Sequence, residues 1–179
     1  MTTSPRACSE RLVSSAVTLT TPRLRLRPLE PNEMAALLQG VPANDQSWAD
    51  GYPLDGTLVA VAMQDDLVKH GVDRGGFCHY QVLLRDRDVV IGDIGFHTPP
   101  DELGEVSIGF GLVPGARRHG YAVEALRALL EWALRQPEVR SVHADTDLVN
   151  LASQRVLLGA GMRLAADEGD RKVYEISAA

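Results

Sequence analysis

Cysteine is scarce: the 179 residues contain two, Cys8 and Cys78. That count excludes a disulfide-stapled scaffold and any zinc-ligand spacing, so no metal is expected and a reducing compartment fits. Long apolar runs are missing too. No stretch approaches the ~20 residues of a membrane span, and the first 17 residues lack the ~7–15-residue apolar core of a secretory leader. A cytoplasmic location without a membrane partner is the expectation. Positive charge is in deficit, with 18 Lys+Arg against 24 Asp+Glu, a net charge of -6 and a pI near 5.3. Bulk nucleic acid and anionic lipid surfaces are therefore excluded as main partners. What is present is 45% apolar residues, enough for a core without staples. Residues 1–17, rich in Ser and Thr and without periodicity, read as a flexible extension, and 18–179 as a single domain.

Along that domain, "RLRLRPL" (23–29) alternates charge with leucine, the period-two mark of a half-buried strand, and Pro28 places it near an edge. "EPNEMAALLQG" offers a helix starting at Asn32 and stopping at Gly40, and a second helix is expected over 57–71. The connecting "DQSWADGYP" is an aromatic, turn-rich loop able to cover a site. Three strands, 77–85, 89–97 and 105–113, follow with hairpin-length connectors. A helix with an apolar stripe at Val123, Leu126, Leu130 and Ala133 comes next. Then come a strand "SVHADTD", a helix near Asn150, and strands around "MRLAA" and "KVYEI". The order is β-α-α-β-β-β-α-β-α-β-β. The strand, helix and strand between 105 and 147 imply one parallel pair inside a sheet of hairpins.

At the end of that pair's first strand stands "VPGARRHGYA" (113–122), where a strand exit meets a helix entrance. A helix N-terminus offers unpaired N–H groups and partial positive charge, and Gly115 and Gly120 let the backbone approach a bulky anion. The amides of Arg118, His119, Gly120, Tyr121 and Ala122 form the expected cradle, and Arg117 and Arg118 supply charge. A surface turn with solvated arginines is the alternative. A dinucleotide fingerprint is excluded because Gly109 and Gly111 lie within the strand and the spacing to the next glycine is too long.

Arg117-x-x-Gly120-x-Ala122 resembles the Arg/Gln-x-x-Gly-x-Gly/Ala pyrophosphate motif of the GNAT superfamily of acetyl-coenzyme A (acetyl-CoA) dependent N-acetyltransferases. "NLASQRVLLGAGM" (150–162) and "TPRLRLRPL" (21–29) are similar to segments of its ribosomal-protein N-terminal acetyltransferase (RimJ/RimL-type) subgroup. The likeness runs over about residues 18 to 177. It implies an α/β (α+β) GNAT fold, with a mixed, mostly antiparallel sheet of about seven strands. Helices would cover both faces, and a splayed parallel strand pair would hold the cofactor.

The resemblance also implies roles. Acetyl-CoA would be the cosubstrate and an amine the acceptor, either a protein N-terminus or a small molecule. Leu112 and Val113 would give backbone contacts to the pantetheine arm. Asn150 would open the next cofactor-facing helix, and Ser153 would hydrogen-bond the leaving sulfur where the usual tyrosine position is Leu157. Met162 stands where an aromatic is common. Glu105 would be the general base, with Asp93, His97 and His143 as further candidates; Asp93 and His97 would also face the acceptor. Trp48, Tyr52 and Tyr80 would form pocket walls, although core packing is their ordinary role. Likewise, Glu105 could be an ordinary strand-start residue and Ser153 part of a helix start. A homodimer is compatible with the subgroup. A non-catalytic acyl-CoA-binding sensor or assembly module is the competing reading, since it would keep the cradle without the proton carriers.

Overall fold

The computed structural model describes residues 16–43 and 45–178. Most of the expected N-terminal extension, including Cys8, therefore lies outside the described residues. The chain orders as β1 (Leu19–Thr20), β2 (Leu24–Pro28), α1 (Pro31–Leu38), β3 (Ser47–Trp48), α2 (Asp55–Lys69), β4 (His79–Leu84), β5 (Val89–Phe96), β6 (Glu105–Leu112), a 3-10 turn (Pro114–Ala116), α3 (Tyr121–Ala133), β7 (Ser141–Asp147), α4 (Leu151–Gly159), β8 (Arg163–Asp167) and β9 (Arg171–Ser177). All seven expected strands are present. The sheet has nine, because two-residue strands β1 and β3 join it.

The sheet runs β1-β2-β4-β5-β6-β7-β9-β8, with β3 on the start of β5. Among the described residues, β3–β5 and β6–β7 are the parallel pairs and the rest are antiparallel. Alternation in β2 buries Leu24, Leu26 and Pro28 and leaves Arg25 and Arg27 half-buried, as the leucine-arginine pattern requires. Pro28 needs no outer partner, since β1 reaches only Leu26 and Arg25. Helix α1 starts one residue before Asn32: Glu30 caps it and Glu33 closes a capping box.

Asp93, Gly95 and His97 alternate with Ile94 and Phe96, so the two sets face opposite layers. α2 lies over the first face, where Thr57 donates to the Asp93 carboxylate. α3 lies over the second, where Trp132 packs against Phe77 and Phe96 at centroid distances of 5.1 and 5.8 Å. On α3, Ala125, Leu126, Leu129, Leu130 and Ala133 are buried. Each leucine contributes on the order of 2 kcal/mol by leaving water. Val123, expected in that stripe, is half-buried and opens onto a cleft. Among the described residues, no helix is long and apolar enough to cross a membrane.

Candidate active site

β6 and β7 pair at only three positions, Glu105–Ser141, Val106–Val142 and Ser107–His143, and then part. Which backbone groups face the gap follows from the ladder on the other side. His97 N–H donates to Ser107 C=O at 2.9 Å and Val113 N–H to Ile91 C=O at 3.0 Å. Residues 107, 109, 111 and 113 thus turn their backbone toward β5, and the alternation of an antiparallel pair turns Phe110 and Leu112 toward the gap. Those two present strand-edge groups that an extended chain can pair with. Leu112 turns its N–H to the gap while its C=O accepts from Arg117, whereas the Val113 N–H is spent on Ile91. Phe110 takes its place. The gap widens into a cleft of about 690 Å³ lined by Phe110, Leu112, Gly120, Val123, Ser153 and Arg155 among others.

The turn at the cleft's mouth has two left-handed residues, Arg118 at φ 65° and Gly120 at φ 78°, with Gly120 as the N-cap of α3. Glu124 N–H is the donor that closes onto Gly120 C=O, at 3.1 Å. The α3 amides before it, Tyr121 to Val123, have no intrahelical acceptor. This gives an anion-accepting concavity at the positive end of a helix dipole. Arg117 folds back, its Nε donating to Leu112 C=O at 2.9 Å, so it holds the turn against β6. His119 and Tyr121 stack at 5.5 Å.

A residue assigned only to a strand proves central to this turn. Arg23 donates from Nε to Glu124 Oε2 at 2.6 Å and from Nη1 to His119 C=O at 2.8 Å, and its guanidinium lies 4.7 Å from the Tyr121 ring centroid. Burial pushes the Glu124 carboxyl up. Hydrogen bonds from the Thr21 hydroxyl and from Arg23's backbone and guanidinium, with the Arg23 charge, outweigh that and hold it below its ordinary value.

On the other wall, Asn150 caps α4, its Oδ1 accepting from Ser153 N–H at 3.1 Å. The cap uses the Ser153 backbone, and the Ser153 hydroxyl has no hydrogen-bond partner among the described residues. It lines the cleft together with Arg155. Leu157 is buried, and so is Met162.

The α2 face carries the titratable groups. His97 lies over Gly109 where the strands part: a Cβ at Gly109 would fall 2.9 Å from His97 Nε2. Burial holds the His97 imidazole below its ordinary value; Asp145 across the gap opposes the shift and His79 adds to it. Glu105 sits three residues before the parting point, roughly 10 Å along the strand. It is half exposed, with His143 Nε2 3.9 Å from its carboxylate. His143 in turn bonds the Ser141 hydroxyl at 2.8 Å. The structure thus sets Glu105 back from the gap it was expected to serve. Asp93 is buried beside His79, at 3.1 Å, and Thr57, tying β4, β5 and α2 together.

Trp48, Tyr52 and Tyr80, expected as walls of the acceptor pocket, lie away from the cleft between α3 and α4. Tyr80 is fully buried and donates to Gly76 C=O at 2.7 Å. Trp48 and Tyr52 meet edge to face at 5.1 Å beside β5. Burial, with the Asp93 charge, pushes the Tyr52 phenol up. The loop they belong to does reach the site, because Leu54 packs against Gly111 and Gly51 approaches Pro114. No cluster of His, Cys, Asp and Glu able to hold a metal occurs among the described residues.

Residues 23–163 match a family model described as an acetyltransferase (GNAT) domain. The chain is 37% identical over 98 residues to an uncharacterized N-acetyltransferase, YjdG, of Bacillus subtilis, covering 55% of this chain and 58% of the relative. It thus spans little more than half of that relative's length. A crystal structure of an acetyltransferase from Agrobacterium tumefaciens is similar at TM-score 0.64 and 26% identity, over 94% of this chain and 99% of the other. RimL, a ribosomal L7/L12 alpha-N-protein acetyltransferase solved with coenzyme A, is similar at TM-score 0.64 and 19% identity, over 90% and 98% of the two chains. That likeness is one of fold.

Proposed function

Because the chain belongs to the GNAT acetyltransferase domain family, we propose that it is an acyl-CoA-dependent N-acyltransferase that moves acetyl from acetyl-CoA to a primary amine within one ternary complex. The observation that carries this reading is the gap between β6 and β7. There, the outward backbone of Phe110 and Leu112 leads from the anion-accepting turn at 118–122 toward the parting point of the strands. A pantetheine arm has the length and amide spacing to pair with such an edge, and its pyrophosphate would rest on the α3 N-terminus. Acetyl-CoA supplies the activated acyl group. The chain's own residues position it and manage protons: Ser153 would donate its hydroxyl hydrogen bond to the departing thiolate, which the Asn150 cap leaves it free to do.

The acceptor reaches the gap from the α2 face, opposite the groove between α3 and α4. A protein N-terminus, as in the ribosomal-protein acetyltransferases, and a small cationic amine both fit a chain of net charge -6. A cytoplasmic enzyme needing no metal completes the reading. The buried Cys78 lies outside the cleft and burial raises its thiol to about 11, which favours direct attack by the amine over an acyl-enzyme on that cysteine. Incubation with acetyl-CoA and a panel of amines tests the proposal through thiol release and acceptor mass. Transfer of one acetyl group per thiol supports it, whereas binding without transfer supports the sensor or assembly module.

A further inference from the structure

We propose that His97, rather than Glu105, is the general base that takes the proton of the attacking amine. This assignment rests on the acyl-transfer function proposed above. His97 follows β5 and its ring is seated on Gly109, the second residue of β6 beyond its last pairing with β7. Absence of a side chain at Gly109 makes the room, since a Cβ there would collide with the ring at 2.9 Å. The ring lies on the α2 face, while the cofactor cleft is walled by α3 and α4. It therefore stands where an amine coming from the open side would meet a thioester threaded from the other. Gln64 of α2 donates to the carbonyls of Phe96 and His97 at 2.7 and 3.1 Å, fixing the backbone from which the ring projects.

The step balances within the site. The amine nitrogen attacks the thioester carbonyl carbon, a C–N bond forms and the C–S bond breaks. The amine proton passes to the His97 ring, which later releases it to water, and the thiolate takes the proton of the Ser153 hydroxyl, which regains one from water, leaving an amide and free coenzyme A. A base for this work must be neutral near pH 7, and the half-buried imidazole, held below its ordinary value by partial loss of water, meets that condition. The charged and titratable groups around it are His79 on β4, Asp93 on β5, Glu105 on β6, and His143 and Asp145 on β7. Asp145 pairs with Arg171 at 2.7 Å, and on the α2 side Arg74 binds the uncharged Gln64. Asp145 is the one that favours the protonated ring, so it would steady the imidazolium formed on attack.

The test uses the full chain with acetyl-CoA and two kinds of probe, spermidine and peptides bearing free Ser, Ala or Met N-termini. His97→Gln should lower kcat/KM at pH 7 on the order of 100-fold. Calorimetric affinity for acetyl-CoA should stay unchanged. The part of the wild-type rate's fall on acidification that exceeds the amine's own protonation, and that follows protonation of the ring, should vanish in this variant. Asp145→Asn should move that fall to lower pH, because it removes the group that raises the ring's value. Added imidazole should restore part of the rate to His97→Ala, which a merely structural histidine would not allow. NMR of the ring nitrogens in the wild-type coenzyme A complex should find His97 neutral at pH 7. A His97→Gln protein with the wild-type rate and acid limb, or a Glu105→Gln protein that alone loses both, overturns the assignment while the transfer function stands. A wild type that binds acetyl-CoA and releases no thiol to these amines overturns the transfer function and the role of His97 with it.

Discussion

Arg23 and Glu124, 101 residues apart in the chain, meet through a 2.6 Å Nε–Oε2 contact that ties the entry to β2 to the first turn of α3. Through the same guanidinium Arg23 also holds the carbonyl of His119, inside the turn whose amides are proposed to meet the cofactor. Arg23→Gln should therefore weaken acetyl-CoA binding about 10-fold, the scale of a lost charged hydrogen bond, with little effect on kcat. Calorimetry beside saturation kinetics checks this. An unchanged affinity would make the contact a matter of stability alone.

Glu124 makes a pH-dependent contribution to folding. Its carboxyl sits below the ordinary 4.5 in the folded chain, so the stabilisation is fully present above 4.5 and is lost as pH falls through the folded value. Glu124→Gln should cost on the order of 1.5 kcal/mol at pH 7. Urea unfolding at a series of pH values should show variant and wild type converging below pH 4.5. A gap independent of pH would assign the loss to packing.

Gly120 caps α3 at a φ of 78°, a conformation that costs other residues about 1–2 kcal/mol. Gly120→Ala should reshape the turn or strain it, and acetyl-CoA affinity should drop by about 10-fold. An alanine variant that is folded and binds normally would separate the turn from the pyrophosphate.

These sites differ in how much of them the sequence could announce. The leucine-arginine alternation of β2, the apolar stripe of α3 apart from Val123, and the Arg117-x-x-Gly120-x-Ala122 turn are local patterns, and they land where their spacing places them. Local reading overlooked β1 and β3, because a two-residue strand exists only by pairing with a distant partner. The family resemblance pointed to Val113 beside Leu112, and the backbone of Val113 turns the other way because which residues face the gap depends on the β5 register. Arg23's role is invisible locally for the same reason, and His97 could be named only as one candidate among several: their partners, Glu124 and Gly109, are brought to them by the sheet. Tyr80 shows the opposite failure, a side chain with a polar tip whose donor is satisfied at Gly76 inside the core.

Ser153 can be separated from its helix. The Asn150 cap accepts from its backbone N–H, so Ser153→Ala should leave α4 and cofactor affinity intact. Its kcat should fall on the order of 10–100-fold if the hydroxyl serves the thiolate. Thermal unfolding, calorimetry and saturation kinetics on one preparation check the split, and equal losses in affinity and kcat would make Ser153 a cofactor-positioning residue.

The account stands or falls on direct transfer from acetyl-CoA to an amine held with it at the parting of β6 and β7. Initial rates of thiol release measured over a grid of acetyl-CoA and acceptor concentrations test this most directly, with acceptor mass read from the same samples. The account predicts intersecting double-reciprocal lines and one acetyl group gained by the acceptor for each thiol released. Parallel lines, the pattern of an acyl-enzyme, or thiol release that ignores the amine would contradict it.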